Sequence, residues 1–218
     1  MPTKTIEIGV PFFSIHHIAD EPQYQIIGKS ILLNLGSRSI AIENQRLGKF
    51  QSVVVANTQL HDLQEAVVIE GFDTHADEAA LFARVRQHWQ LAYDVRGEER
   101  LRGVEHYLSP RDTVGNIRFS MYHSGTVPLK VGLHQQHPVC SQPGFREIHT
   151  QIVGFGKMQQ CREKDLQTLY LEEPMAPGNT HKPMYDEAGN YPWHQYETIT
   201  PGIFMATEIF PAGADIPA

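Results

Sequence analysis

The stretch Glu147-Ile-His-Thr-Gln-Ile-Val153 constrains the fold most. Along an extended chain successive side chains point to opposite faces. Glu147, His149 and Gln151 therefore share one face, and Ile148, Thr150 and Ile152 the other. Gly154 and Gly156 then turn the chain, a second strand follows over 168–172, and Pro177-Gly178 turns it again to deliver His181. Imidazoles and a carboxylate carried on neighbouring strands can converge on one divalent cation with no helix involved.

Much of the remaining chain has the same character. Short apolar or alternating runs at 4–15 (interrupted at Pro11), 25–35, 39–43, 52–56 and 65–70 read as strands, with Gly36-Ser37 and Asn44 as turns. Strands return at 117–123, 127–134, 147–153, 169–172, 195–198 and 203–210. Short strands with Gly or Pro turns predict an all-β sandwich or barrel. Residues 141–145 and 185–192 read as loops at its mouth.

One segment has helical periodicity. Over 75–92, Ala79, Phe82, Val85, Trp89 and Ala92 fall on one face, with Thr74 as the cap and Asp77 and Glu78 in the first turn. This is a helix packing over a sheet rather than a ligand box. Residues 94–114, charged and carrying Gly and Pro, read as a connector.

A chain of 218 residues suits one large β domain or a domain with an elaborated N-terminal part. Its net charge of −7 argues against a nucleic-acid partner. Cys140 and Cys161 form neither a disulfide framework nor a Cys-x-x-Cys zinc pair, which points to a reducing compartment. The opening MPTKTIEIGV lacks the apolar core of a signal peptide, and no apolar run reaches a membrane-spanning length. A cytoplasmic location without a membrane partner is expected. Phosphate-binding loops, a dinucleotide fingerprint and a serine-hydrolase elbow are absent from the sequence.

The spacing from Glu147 to Gly154, and the run Gly178-Asn-Thr-His181, resemble the two motifs of the cupin superfamily. The resemblance covers roughly residues 115–210. The family's His-x-His is here His134-Gln-Gln-His137, followed by a longer gap to Glu147. Ala176 takes the place of the motif's proline, with Pro177 beside it, and Tyr185 takes that of its closing asparagine. The resemblance implies a cupin-like antiparallel β-barrel or double-stranded β-sandwich. Residues 115–218 would form the barrel with its metal site. Residues 1–114 would be an N-terminal strand region plus helix, part of the same barrel or a degenerate second cupin. It further implies a metal-dependent enzyme acting on a small polar molecule, with dioxygenase, isomerase, decarboxylase and lyase chemistry all open. The cofactor would be a divalent ion such as Fe, Mn, Zn or Ni. The alternatives are a non-catalytic small-molecule or sugar-binding module and a structural homodimer.

The metal-ligand candidates are His134, His137, Glu147, His149 and His181. His181 leads because a Pro-Gly turn delivers it. Burying Glu147 unpaired would be costly, so it either faces solvent or binds something, as a ligand or catalytic base. His134 and His137 point to opposite faces of a regular strand, so both can be ligands only through a bulge. The bulged version is preferred because a glutamine ligand at 136 would be unusual. Gln151, Tyr191, Trp193 and His194 are candidates for the pocket wall, although a surface position suits His194 better.

Overall fold

The computed structural model describes residues 3–129, 132–135, 144–184 and 190–216. The N-terminal part supplies β1 (Thr3–Ile6), β2 (Ser14–Gln25), β3 (Lys29–Asn34), β4 (Ile40–Ile42), β5 (Gln45–Leu47), β6 (Ser52–Ala56) and β7 (Gln59–Glu70). They pair antiparallel in the order β1-β2-β7-β3-β6, with β4 and β5 a separate hairpin. Next come α1 (Glu78–His88), β8 (Gln90–Leu91), α2 (Ala92–Arg96), β9 (His106–Leu108), β10 (Asp112–Val114) and β11 (Ile117–Ser124). The chain closes with β12 (Arg146–Val153), β13 (Gly156–Cys161), β14 (Leu169–Met175), β15 (Trp193–Thr198) and β16 (Gly202–Ile209). A second sheet runs β12-β16-β11-β9-β8, with β10 against β11, and a third runs β14-β13-β15.

The fold is all-β, and alternation explains how its layers stack. On β11, β12 and β16, the residues Phe119, Met121, Ile148, Ile152, Ile203 and Met205 face the first sheet, where Ile15, Ile31, Val67 and Ile69 meet them. The opposite faces carry Tyr122, Phe204 and Ala206, which pack with Met158 and Met175 of the third sheet. The second sheet is thus the shared middle layer, and its double-sheet packing with the third is cupin-like. Each fully buried isoleucine or leucine contributes about 1.5–3 kcal/mol relative to an exposed one, so the alternation fixes the register firmly.

Several expectations change in detail. The helix covers Glu78–His88 rather than 75–92, and α2 is separate from it. Asp77 is its cap, accepting from the Ala80 amide at 3.0 Å, whereas the Thr74 hydroxyl donates to the Gly71 carbonyl. Ala79 is exposed and Leu81 is buried in its stead. No strand forms among the described residues of 127–134, where His134 makes only an isolated bridge to His194. Conversely, a strand, β13, begins at Gly156, and the stretch read as a connector contributes α2, β9 and β10. No helix among the described residues is long and apolar enough to cross a membrane.

Candidate functional site

The polar face of β12 opens between the second and third sheets. Glu147 and His149 are both buried there, their side chains in contact at 3.2 Å (Glu147 Oε1 to His149 Nε2). They border a cavity of about 60 Å³ whose wall also holds His106, His134, His194, Arg96 and Arg100. A larger groove of about 600 Å³ runs along β6 and the β4–β5 hairpin, but its lining carries no histidine, and its charged residues are the exposed Glu43 and Arg46. The histidine and glutamate candidates gather at the smaller cavity.

His134 and His194 sit side by side in its wall. Their backbones exchange two hydrogen bonds, of 3.0 and 2.9 Å, and their ring centroids lie 4.5 Å apart. The Nδ1 of His134 lies 3.1 Å from the Gly132 carbonyl, and that of His194 lies 3.0 Å from the Pro192 carbonyl. A carbonyl only accepts, so each Nδ1 carries a proton. His194 is buried, not on the surface.

His181 stands differently from the sequence expectation. Its Nε2 accepts the backbone N–H of His149 at 2.9 Å, and its Nδ1 donates to the Lys182 carbonyl at 2.6 Å. Both ring nitrogens are occupied by backbone, leaving none for an ion. Burial, with His149 beside it, pushes its pKa down to about 3, so the ring stays neutral. In this arrangement His181 braces β12.

The other candidates divide. Gln151 is buried on the same face, but it is bonded to the Tyr196 hydroxyl (2.6 Å) and to the Val153 carbonyl (2.8 Å), underpinning the cavity rather than lining it. Tyr191 is half-buried, its ring stacked at 5.8 Å on His194. Trp193 points the other way: β15 turns His194 and Tyr196 inward, and the Trp193 indole lies outside beneath the Lys164 ammonium at 5.6 Å. His137 and Cys140 lie outside the described residues, and Cys161 is buried.

Several site residues carried no signal in the sequence reading. His106 stacks on Tyr122 at 4.9 Å, and its Nδ1 lies 2.9 Å from the Ser124 hydroxyl. Burial, then the Arg96 guanidinium, holds its pKa down to about 3. Glu147 sits beside Glu208 in the sheet register, and Glu208 is beside Arg118. Arg118 grips Glu208 with Nε at 2.7 Å and Nη2 at 3.0 Å, so the carboxylate next to Glu147 is already neutralised.

Neither a family model nor a curated protein matches the chain. Among solved structures it is similar to a deletion mutant of Bacillus subtilis oxalate decarboxylase, at 11% identity and a TM-score of 0.38, over 98% of this chain and 74% of that one. The Bacillus subtilis enzyme at pH 4.6 aligns at 12% identity and a TM-score of 0.36, over 98% and 73% of the two chains. A formate complex of the Lactobacillus farciminis oxalate decarboxylase aligns at 11% and 0.34, over 98% and 82%. The fold assignment rests on the sheet pairing described above.

Proposed function

We propose that the chain is a metal-dependent, cupin-type enzyme acting on a small polar molecule between its second and third sheets. The observation that carries this reading is the gathering of Glu147, His149, His134 and His194 around one buried cavity, with the tautomers of His134 and His194 set by backbone carbonyls. Histidines that bind metals commonly donate their other ring N–H to a carbonyl in this way. A set of imidazole nitrogens with one carboxylate suits Fe, Mn, Zn or Ni. The Nδ1 of His149 is buried without a hydrogen-bond partner among the described residues. Such an orphan costs about 1–3 kcal/mol unless something uses its lone pair. Among the described residues, no three His, Cys, Asp or Glu side chains already stand close enough to grip an ion. Binding would therefore draw donors inward from the cavity wall.

An ion held here would act as a Lewis acid or, if iron, as an oxygen-activating centre. The chain's own residues supply the rest. Glu147, in contact with His149, is the group placed to take a proton from substrate and return it. Phe204, Met158 and Leu129 give the wall an apolar part that limits water. The Arg118–Glu208 pair neutralises the carboxylate that lies next to Glu147 in the sheet.

Elemental analysis of the purified protein tests this reading. Stoichiometric transition metal, lost in Glu147→Ala and His149→Ala variants that stay folded, is the expected result. Protein that remains metal-free after incubation with Fe, Mn, Zn and Ni salts favours the non-catalytic binding module instead.

A further inference from the structure

The stretch between α1 and β9 gives the cavity a cationic wall. Arg96 ends α2, and Arg100 lies in the short 3₁₀ turn Glu99–Leu101; both reach the cavity that Glu147 and His149 border. Glu98 holds the two guanidinium groups from behind. Its Oε1 is 2.6 Å from Arg96 Nε, an ion pair just outside hydrogen-bond geometry, and its Oε2 accepts from Arg100 Nε at 2.6 Å. Arg96 also donates from Nη1 to the Tyr122 hydroxyl at 3.2 Å. All three side chains are mostly withdrawn from solvent, at 17% exposure for Arg96, 19% for Glu98 and 25% for Arg100.

The donors do not balance. A guanidinium has five N–H groups, and the contacts above take two of them on Arg96. On Arg100, Nε and Nη2 face Glu98, and Nη1 has no protein partner among the described residues. Among the described residues, Glu98 is the one carboxylate that directly contacts the two guanidinium groups, so both keep N–H donors beyond that contact. Burial works against the Arg96 charge, yet Tyr122, Glu98, Glu147 and Glu208 more than offset it and hold its pKa above the ordinary value. Arg96 is therefore a permanent cation with spare donors beside a cavity. His106, the neighbouring imidazole in the wall, is neutral near pH 7 and adds no competing charge.

Resting on the metal-enzyme reading, we infer that the substrate is a small carboxylic acid, its carboxylate held by Arg96 and Arg100 and its other end directed to Glu147 and His149. Guanidinium groups match a planar carboxylate through two parallel N–H···O bonds, a geometry that an ammonium lacks. Cavity size sets the scale of the molecule. One water needs roughly 10–15 Å³ of such volume, so about 60 Å³ admits only a handful of heavy atoms. Glu98 is a positioning residue: it touches neither the cavity nor the acid, and it fixes the direction of both guanidinium groups.

The test is calorimetric titration of the full chain as purified, with metal content measured on the same samples. The probes are acetate, pyruvate and malonate, set against acetamide, malonamide and inorganic phosphate. At least one acid is expected to bind at least tenfold tighter than its amide and than phosphate. That comparison uses the unaltered protein and so does not depend on any variant folding. Arg96→Gln and Arg100→Gln are each expected to weaken the acid about tenfold to a hundredfold, the loss of one charge-assisted bond, with metal content unchanged. Arg100→Lys should recover only part of that loss. Glu98→Gln should weaken the acid less than either arginine variant does. Equal affinity for acid and amide, tighter phosphate, or no binding by any acid in metal-replete protein overturns the inference and leaves the metal reading standing. Acid binding by metal-free protein that both arginine variants abolish supports the inference while removing the metal reading.

Discussion

The His181 ring and the His149 backbone form one unit: the His149 N–H donates to His181 Nε2 at 2.9 Å, and the two rings meet edge to face with centroids 5.0 Å apart. This contact joins the segment after β14 to β12 at the residue that borders the cavity. It makes His181 a determinant of where His149 sits, without giving it a lone pair for an ion.

His181→Ala is accordingly expected to keep metal binding within a few-fold of the parent while losing about 2–4 kcal/mol of stability. The buried N–H of His149 would lose its acceptor, and a cavity would open beside it. Urea unfolding and metal titration on the same variant separate the two effects. Loss of metal without loss of stability would restore His181 to the ligand set.

Acid should destabilise the fold through three buried imidazoles. Burial is the leading cause in each case, holding His106 and His181 down to about 3 and His123 down to about 4, against an ordinary value near 6.5. In the window between those values and 6.5 the unfolded chain binds protons that the folded chain refuses. Stability is therefore full above about pH 6.5 and falls as pH drops, by about 1.4 kcal/mol per unit for each histidine. His123 is stacked between Phe82 at 4.6 Å and Tyr107 at 5.9 Å, away from the cavity. His123→Phe should cost some stability at pH 7 through the lost bond to the Gly202 carbonyl, yet flatten the acid limb by one proton. Unfolding free energies at pH 7 and pH 5 check the slope.

The sequence showed clearly what is local. The parity of 147–153 needs only the two-residue period of a strand, and it placed Glu147 and His149 on one face and Ile148 and Ile152 on the other. It did not show what lies opposite. In Trp193-His194 the alternation says that the two point apart, but only the third sheet's partners decide that His194 is inside. The turn at Pro177-Gly178 located His181 without revealing that both its nitrogens meet backbone. Arg96, Arg100 and His106 were illegible for a similar reason: they reach the cavity only because β9 pairs into the second sheet and α2, with the turn after it, packs beside it.

Gly156 illustrates the same limit and gives another prediction. Gly154, at φ +72°, is a true turn glycine. Gly156 instead lies within β13, and a Cβ there would fall on the Tyr196 hydroxyl and ring. Gly156→Ala should displace Tyr196, break its 2.6 Å bond to Gln151 and cost about 1–3 kcal/mol. Tyr196→Phe in the same background should recover part of the loss, since removing the hydroxyl relieves the worst contact. Thermal unfolding of the single and double variants gives the comparison.

The last prediction concerns the adjacent pair. His134 and His194 approach from two segments far apart in sequence, and each has its Nδ1 proton fixed by a backbone carbonyl. If both Nε2 atoms serve an ion, His134→Ala and His194→Ala should each weaken divalent metal by at least tenfold. Trp193→Ala, one residue away but on the outer face, should leave it unchanged. The backbone exchange between 134 and 194 survives either alanine, so the segment stays paired and a loss of metal would report the imidazole itself. Titration with Mn, Fe, Zn and Ni salts, followed by elemental analysis after dialysis, measures this. Parent-like binding in His194→Ala would leave that ring the role of packing against Tyr191 and His134, and would reduce the donor set to His134, Glu147 and His149.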